Sequence, residues 1–258
     1  MKRRLLTIAL LNLFTLNALA SEQRGLEIAK QVDHHDRDWQ DMSAKLTMTL
    51  YNRNGDKSVR YMRINTMEVQ NDGDKSLTVF DQPRDIKGTA FLVFSHVLRS
   101  DYQWLYLPQL RRVKRISSVN KSGRFMGSEF AYEDLSSFEV GKYRYKYQRD
   151  EKLGDLDTYV VDMYPRYKYS GYTRLQVWID KEHYRFIKQV FYDRKNSPLK
   201  TLTYDNYQLY LGHYWRAKLQ NMINHQTGKK AEVVWKDYKF RNGFTNRDFD
   251  KNRLKRIR

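Results

Sequence analysis

Apolar and polar residues alternate at a period of two from residue 42 almost to residue 240, which predicts a mainly β protein of antiparallel strands. Three observations carry this. Ala44, Leu46, Met48 and Leu50 alternate with Ser43, Lys45, Thr47 and Thr49, and Asn54-Gly55 behind them is a hairpin signal. Similar runs then succeed one another with turn residues between them, at the spacing of sandwiches and barrels. With 40% hydrophobic and 30% charged residues the composition is that of a globular chain, and 20 Tyr, 12 Phe and 5 Trp supply bulk for a core.

The chain opens on something else. Lys2, Arg3 and Arg4 precede a mostly apolar stretch at 5–16, and Ala18-Leu19-Ala20 places small residues at the −3 and −1 positions of a cleavage site before Ser21. This order predicts a secretory signal peptide over 1–20 and a mature domain over 21–258. The apolar stretch is short for a spanning helix and is interrupted by Asn12 and Asn17. A second hydrophobic span is absent from the sequence, so the mature chain is expected to be soluble and exported. Gly25, Ile28, Ala29 and Val32 then recur at helical spacing and predict a short helix.

Strands follow near 42–51, 58–70, 75–81, 88–98, 102–107, 113–116, 138–149, 156–165, 173–180, 184–193, 199–211, 213–225 and 230–240, with breaks such as Asn71-Asp72-Gly73, Pro108 and Gly212. No linker or shift in composition divides them, so one antiparallel domain is expected. The alternation lapses between residues 117 and 137. Its first part reads as a loop, and residues 128–135 as a short helix with Ser128 as N-cap. Residues 245–257 read as a charged tail with helical potential, carrying Phe249, Leu254 and Ile257.

Charge and cysteine content narrow the function. Forty-eight cations against 30 acidic residues give a net charge of +18, which invites nucleic acid as a partner. Export removes that partner and leaves anionic lipid surfaces, an acidic protein or plain solvation. Zero cysteines exclude a disulfide framework, a zinc finger, a thiol nucleophile and a lipid-anchoring cysteine. No His-Glu-x-x-His, Gly-x-Ser-x-Gly or phosphate loop occurs. The cluster Asp33-His34-His35-Asp36-Arg37-Asp38 reads as a solvated helix end, and Glu133-Asp134 as cap and surface. No catalytic, metal or cofactor site is therefore expected.

Aromatic patterning says more. Tyr143, Tyr145 and Tyr147 share one face of a strand, either covering a sheet or walling a ligand. Residues 89–94 are apolar on both faces, so that strand needs a core on one side and a lid or ligand on the other, or tight packing on both. Tyr102, Trp104 and Tyr106 lie on a similar strand. Arg111, Arg112, Lys114 and Arg115 form either a solvated edge that discourages strand pairing or a patch for anionic headgroups, and 251–256 could extend it.

Taken in order, the central words carry a resemblance. Gly88-Thr89-Ala90-Phe91-Leu92, Asp101, Trp104-Leu105-Tyr106-Leu107-Pro108 and Arg112-Val113-Lys114-Arg115-Ile116 lead through Lys121 to Phe125-Met126-Gly127-Ser128-Glu129-Phe130 and Tyr132-Glu133-Asp134-Leu135. This block resembles the LolA-like family of outer-membrane lipoprotein-sorting proteins, in the branch associated with RND-type exporters. Glu129 departs from the Asp expected there. The resemblance implies a half-open antiparallel β-barrel of about eleven strands with short lid helices around a hydrophobic cavity. It implies a periplasmic, non-enzymatic carrier for the acyl chains of a lipoprotein or lipid, working with an inner-membrane exporter. Phe91, Phe94, Trp104, Tyr106, Phe125, Met126 and Phe130 are then expected to line or gate the cavity, and Arg111, Arg112, Lys114 and Arg115 to meet an anionic membrane or the exporter. The alternative is an accessory binding subunit that docks an exporter or an anionic envelope polymer without carrying lipid.

Overall fold

Every predicted run of alternation becomes a strand. In the computed structural model, which describes residues 2–97 and 99–256 with side chains in the first helix from Leu19 onward, one helix precedes thirteen strands. They are α1 (Lys2–His35), β1 (Asp41–Tyr51), β2 (Lys57–Met67), β3 (Lys75–Gln82), β4 (Ala90–Phe94), β5 (Tyr102–Leu107), β6 (Arg112–Ile116), β7 (Tyr143–Leu153), β8 (Leu156–Pro165), β9 (Arg174–Asp180), β10 (Phe186–Tyr192), β11 (Pro198–Tyr210), β12 (Tyr214–Asn224) and β13 (Lys230–Phe240). Side chains of residues 1–18, most of the expected leader, and Ile257 lie outside the described residues. Among the described residues no helix is long and apolar enough to cross a membrane.

All thirteen strands belong to one sheet in the order β6-β5-β4-β3-β2-β1-β13-β12-β11-β10-β9-β8-β7. Each paired neighbour is antiparallel. Laid flat, twelve spacings of about 4.8 Å would set the edge strands roughly 58 Å apart. Instead Leu105 and Ile116 near one edge share a single core with Tyr145, Val161 and Met163 near the other. The sheet therefore curls into a barrel that stays open between β6 and β7. The family resemblance implied about eleven strands; among the described residues there are thirteen.

Helix α1 covers the β7 edge. Ile28, Ala29 and Val32 are buried in the core, as their spacing predicts. Gly25 allows the approach: a Cβ there would stand 2.8 Å from the Tyr147 backbone nitrogen. Of the tyrosine stripe, Tyr145 is 3% exposed, and Tyr143 and Tyr147 pack against the same core.

The doubly apolar β4 separates two cores. Phe91 and Val93 face the barrel interior, while Ala90 and Leu92 face a second cluster with Leu77, Val79 and Tyr106. That outer cluster is closed by the C-terminal segment, two 3₁₀ helices at Asn246–Phe249 and Lys251–Arg256 whose Phe249 and Leu254 are each 1% exposed. The second cover is thus the chain's own tail.

Candidate functional site

Residues 117–142 connect the two edge strands by passing through the barrel, and they plug one end of it. The expected helix at 128–135 is a shorter 3₁₀ turn, Tyr132–Leu135, and its N-cap is Ala131. Ser128 instead ends the preceding turn, its hydroxyl donating to the Phe125 carbonyl at 2.8 Å. Three carboxylates tie this plug to β11, to β12 and to the segment between β8 and β9. Asp134 accepts from Lys200 Nζ at 2.5 Å, from the Tyr172 hydroxyl at 2.7 Å and from the Ala131 backbone at 2.7 Å. Glu133 accepts from the Gly171 backbone at 2.7 Å, the Ser170 hydroxyl at 2.9 Å and the Tyr167 hydroxyl at 3.2 Å. Glu129 accepts from Asn224 at 2.7 Å and faces Arg124 at 3.4 Å. Burial, then the charge of Asp134, raises the Glu133 carboxyl above its ordinary range.

Glu133 and Asp134 were expected as cap and surface; Asp134 does cap the turn through the Ala131 N–H, but Glu133 and the Asp134 side chain are buried, with partners in 167–172 and at Lys200. The Phe125-Met126-Gly127 turn is held as well, since Arg60 donates to the Met126 carbonyl at 2.5 Å. This bond ties the plug to β2.

Above the plug lies a cavity of about 1320 Å³ that opens at the opposite end of the barrel. Phe91, Phe130, Leu135, Phe138, Leu202 and Tyr204 form its deeper wall, and Trp39, Tyr207, Trp215, Trp235 and Tyr238 its upper one. Its rim is polar. The helix end Asp33–Asp38 belongs to it: His35 stacks on Tyr184 at 4.8 Å and Asp36 pairs with Arg216 at 2.5 Å. Glu68, Asp72, Asp74 and Glu139 line another part of the rim. Burial, then the neighbouring charge of Glu139, pushes the Asp74 carboxyl up to about 8, and burial raises Glu139. Among the described residues no group of three or more His, Asp or Glu is placed to hold a metal ion.

Of the residues expected at the cavity, Phe91 and Phe130 line it. Phe125 is buried in the plug at 2% exposure, and Met126 packs beside it. Phe94, Trp104 and Tyr106 stand elsewhere: they join the outer cluster under the C-terminal segment, and this corrects their expected place. The reason is the strand period, which sends alternate residues of β4 and β5 to opposite faces of the sheet. Arg112, Lys114 and Arg115 are exposed on the edge strand β6, and Arg111 is exposed in the turn before it.

The upper aromatics were missed because two strands slip out of phase. Leu202 and Tyr204 face inward on β11, and after Asn206, at φ 55°, the inward set becomes Tyr207 and Leu209. On β13, Trp235 is followed across Asp237, at φ 56°, by Tyr238. Paired one-residue slips at Asn and Asp were the available signal.

Comparison with solved structures agrees with this architecture. A protein from Vibrio parahaemolyticus, described as an outer-membrane lipoprotein-sorting protein domain, is 55% identical, with a TM-score of 0.89 over 91% of this chain and 99% of that one. This chain belongs to the family of that outer-membrane lipoprotein-sorting protein domain. A DUF1329 family protein from Desulfovibrio piger is 26% identical with a TM-score of 0.86, over 91% of this chain and 99% of that one. A LolA superfamily protein from Nitrosomonas europaea shares the fold at 21% identity, with a TM-score of 0.70 over 88% and 97% of the two chains. A family profile described only as that of an uncharacterized protein matches residues 72–256. None of the curated proteins compared with the chain matches it.

Proposed function

We propose that this LolA-like chain is a periplasmic, non-enzymatic carrier that holds the acyl chains of a lipoprotein or lipid in its cavity and shuttles them toward the outer membrane. In this reading residues 1–20 are a signal peptide cleaved near Ala20/Ser21, and residues 21–258 are one carrier domain. The observation that carries it is the aromatic-walled cavity of about 1320 Å³, open at one end and plugged at the other. A methylene needs about the space of one water molecule, roughly 30 Å³, so such a volume takes two acyl chains with room to spare. An acyl chain in water costs about 0.8 kcal/mol per methylene, so a free lipid does not cross an aqueous gap unaided. A cavity that matches the membrane interior makes loading near neutral and handover reversible. Phe91 and Phe130 on the wall, with Phe125 and Met126 in the plug beneath, are the residues this reading assigns to the cargo site.

The exposed cations Arg111, Arg112, Lys114 and Arg115 favour a second reading alongside it. They would dock the chain on an RND-type exporter, an anionic membrane or an anionic envelope polymer, and without cargo they would make it an accessory subunit. Native mass spectrometry with lipid identification, on protein taken from its own cell envelope, separates the two. Carriage predicts co-purifying lipid, and about a fourfold affinity gain per added methylene in a fatty-acid series. No lipid on the native protein and none bound on addition would overturn carriage, and binding lost at high salt would then favour the accessory reading.

A further inference from the structure

At the cavity mouth, the β11–β12 hairpin ends in a turn whose residue contradicts its backbone. His213 N donates to the Tyr210 carbonyl at 3.0 Å, and the two residues between, Leu211 and Gly212, have φ of 50° and 69°. Positive φ at both central positions is the type I′ pattern, which Asn, Asp and Gly adopt readily and leucine does not. Leu211 nonetheless stands there 56% exposed, and Leu209 is 42% exposed. About half of each leucine thus faces water, one of them in a backbone conformation costly for leucine.

Their surroundings say what would cover them. The Tyr210 ring meets Tyr238 at 5.1 Å and Phe240 at 5.6 Å, and Tyr214 stacks on Phe240 at 5.9 Å. Exposed Lys218 follows Tyr214 on β12, exposed Lys239 lies between Tyr238 and Phe240 on β13, and exposed Arg241 comes directly after that strand. An apolar tip, a band of tyrosines and a collar of cations is the composition that rests at the boundary between headgroups and acyl chains. Leu209, Gly212 and His213 also line the cavity, so the tip and the entrance are one place. Glu68, Asp72 and Asp74 lie in the loop between β2 and β3, three strands from β12 in the sheet order, and Asp36 on the hairpin side is paired with Arg216, so the hairpin side of the mouth suits the lipid better.

We propose that the β11–β12 hairpin tip enters a leaflet bearing anionic headgroups and sets the cavity mouth against it. The proposal deepens the carrier reading and rests on it for the cargo. Its test is flotation of the purified protein with vesicles of phosphatidylethanolamine and phosphatidylglycerol, and with vesicles of phosphatidylcholine alone. The variants are Leu211→Asn, which suits the turn better than leucine, and Leu209→Ser with Leu211→Asn. Each half-exposed leucine contributes about a tenfold factor to partitioning, so the double variant should float about a hundredfold more weakly. Leu211→Asn should melt at or above the wild-type temperature, which separates lost docking from lost folding. Loading of a fluorescent fatty acid without vesicles should be unchanged in Leu211→Asn, because Leu211 does not line the cavity. Wild-type protein that ignores both vesicles, or variants that float as well as wild type, would overturn the proposal. Leucine-dependent self-association without flotation would also overturn it, with a second copy as the occupant. Leucine-dependent flotation with no fatty-acid loading would leave the docking standing and remove the carrier.

Discussion

Replacing Asp134 with Ala tests whether the plug is held by buried charge. The Lys200 and Asp134 side chains are 3% and 5% exposed. Without Asp134, Lys200 Nζ keeps the Glu129 carbonyl at 2.9 Å and the rings of Phe191 and Tyr172 at 5.0 and 5.4 Å. The Tyr172 hydroxyl and the Ala131 N–H lose an acceptor each. Stranding a buried charge costs about 3–5 kcal/mol, and an unmade buried hydrogen bond about 1 more. The carbonyl and ring contacts are kept rather than gained, so they hold the charge cost near the bottom of its range and the net loss is roughly 3–5 kcal/mol. At about 2–4 °C per kcal/mol, the melting temperature should fall by roughly 6–20 °C. Lys200→Met alone should cost less, since Asp134 keeps the Tyr172 and Ala131 donors. The pair Asp134→Leu with Lys200→Met should recover most of the loss, for a coupling energy of about 2–3 kcal/mol across the four proteins. Urea titrations and thermal melts measure all four. A loss under 1 kcal/mol for Asp134→Ala, or additivity in the cycle, would refute the assignment of the plug's hold to this pair.

Asp74 gives the fold a pH dependence. Its carboxyl is pushed up to about 8, so the folded chain keeps a proton that the unfolded chain loses above pH ~4. Its contribution therefore weakens as pH rises from about 4 to about 8, and Asp74→Asn should raise the melting temperature by several degrees at pH 8 and leave it unchanged at pH 4. An equal gain at both values would count against it. Phe249→Ala should cost about 3–5 kcal/mol at the outer cluster and speed amide exchange in 244–256, with fatty-acid loading unchanged. Gly25→Ala should lose about 1–2 kcal/mol despite better helix propensity, because its Cβ would stand 2.8 Å from the Tyr147 nitrogen; a stabilised variant would refute the close approach of α1 to β7.

Strands were legible because the alternation is local, and the site less so because its partners are distant. β3 shows the limit. Its apolar residues Leu77 and Val79 lie under Phe249 and Leu254, while the cavity is lined by its polar residues Ser76 and Thr78. Alternation reports which face of a strand is greasy, but here the greasier face belongs to the chain's own tail. The tyrosine stripe of β7 was legible as one buried face, because α1 and the core both lie on it. Glu133 and Asp134 were read as surface because adjacent acids usually are. Apart from the Ala131 N–H that Asp134 caps, their donors sit 34 to 66 residues further on and carry no local mark.

The plug also decides where cargo can pass. Withdrawing it would strand Lys200 and Asp134, free Glu133 from three donors and part Glu129 from Asn224. Each such break costs a few kcal/mol, more than one methylene gains on leaving water. At the mouth, the ion pair Asp36–Arg216 has one half-exposed partner, with Asp36 at 53%, so opening there is cheap by comparison. In the carrier reading, acyl chains therefore enter and leave at the end that bears Leu209 and Leu211, and the floor stays shut. A substitution that loosens the floor should lower stability well before it alters the rate of exchange.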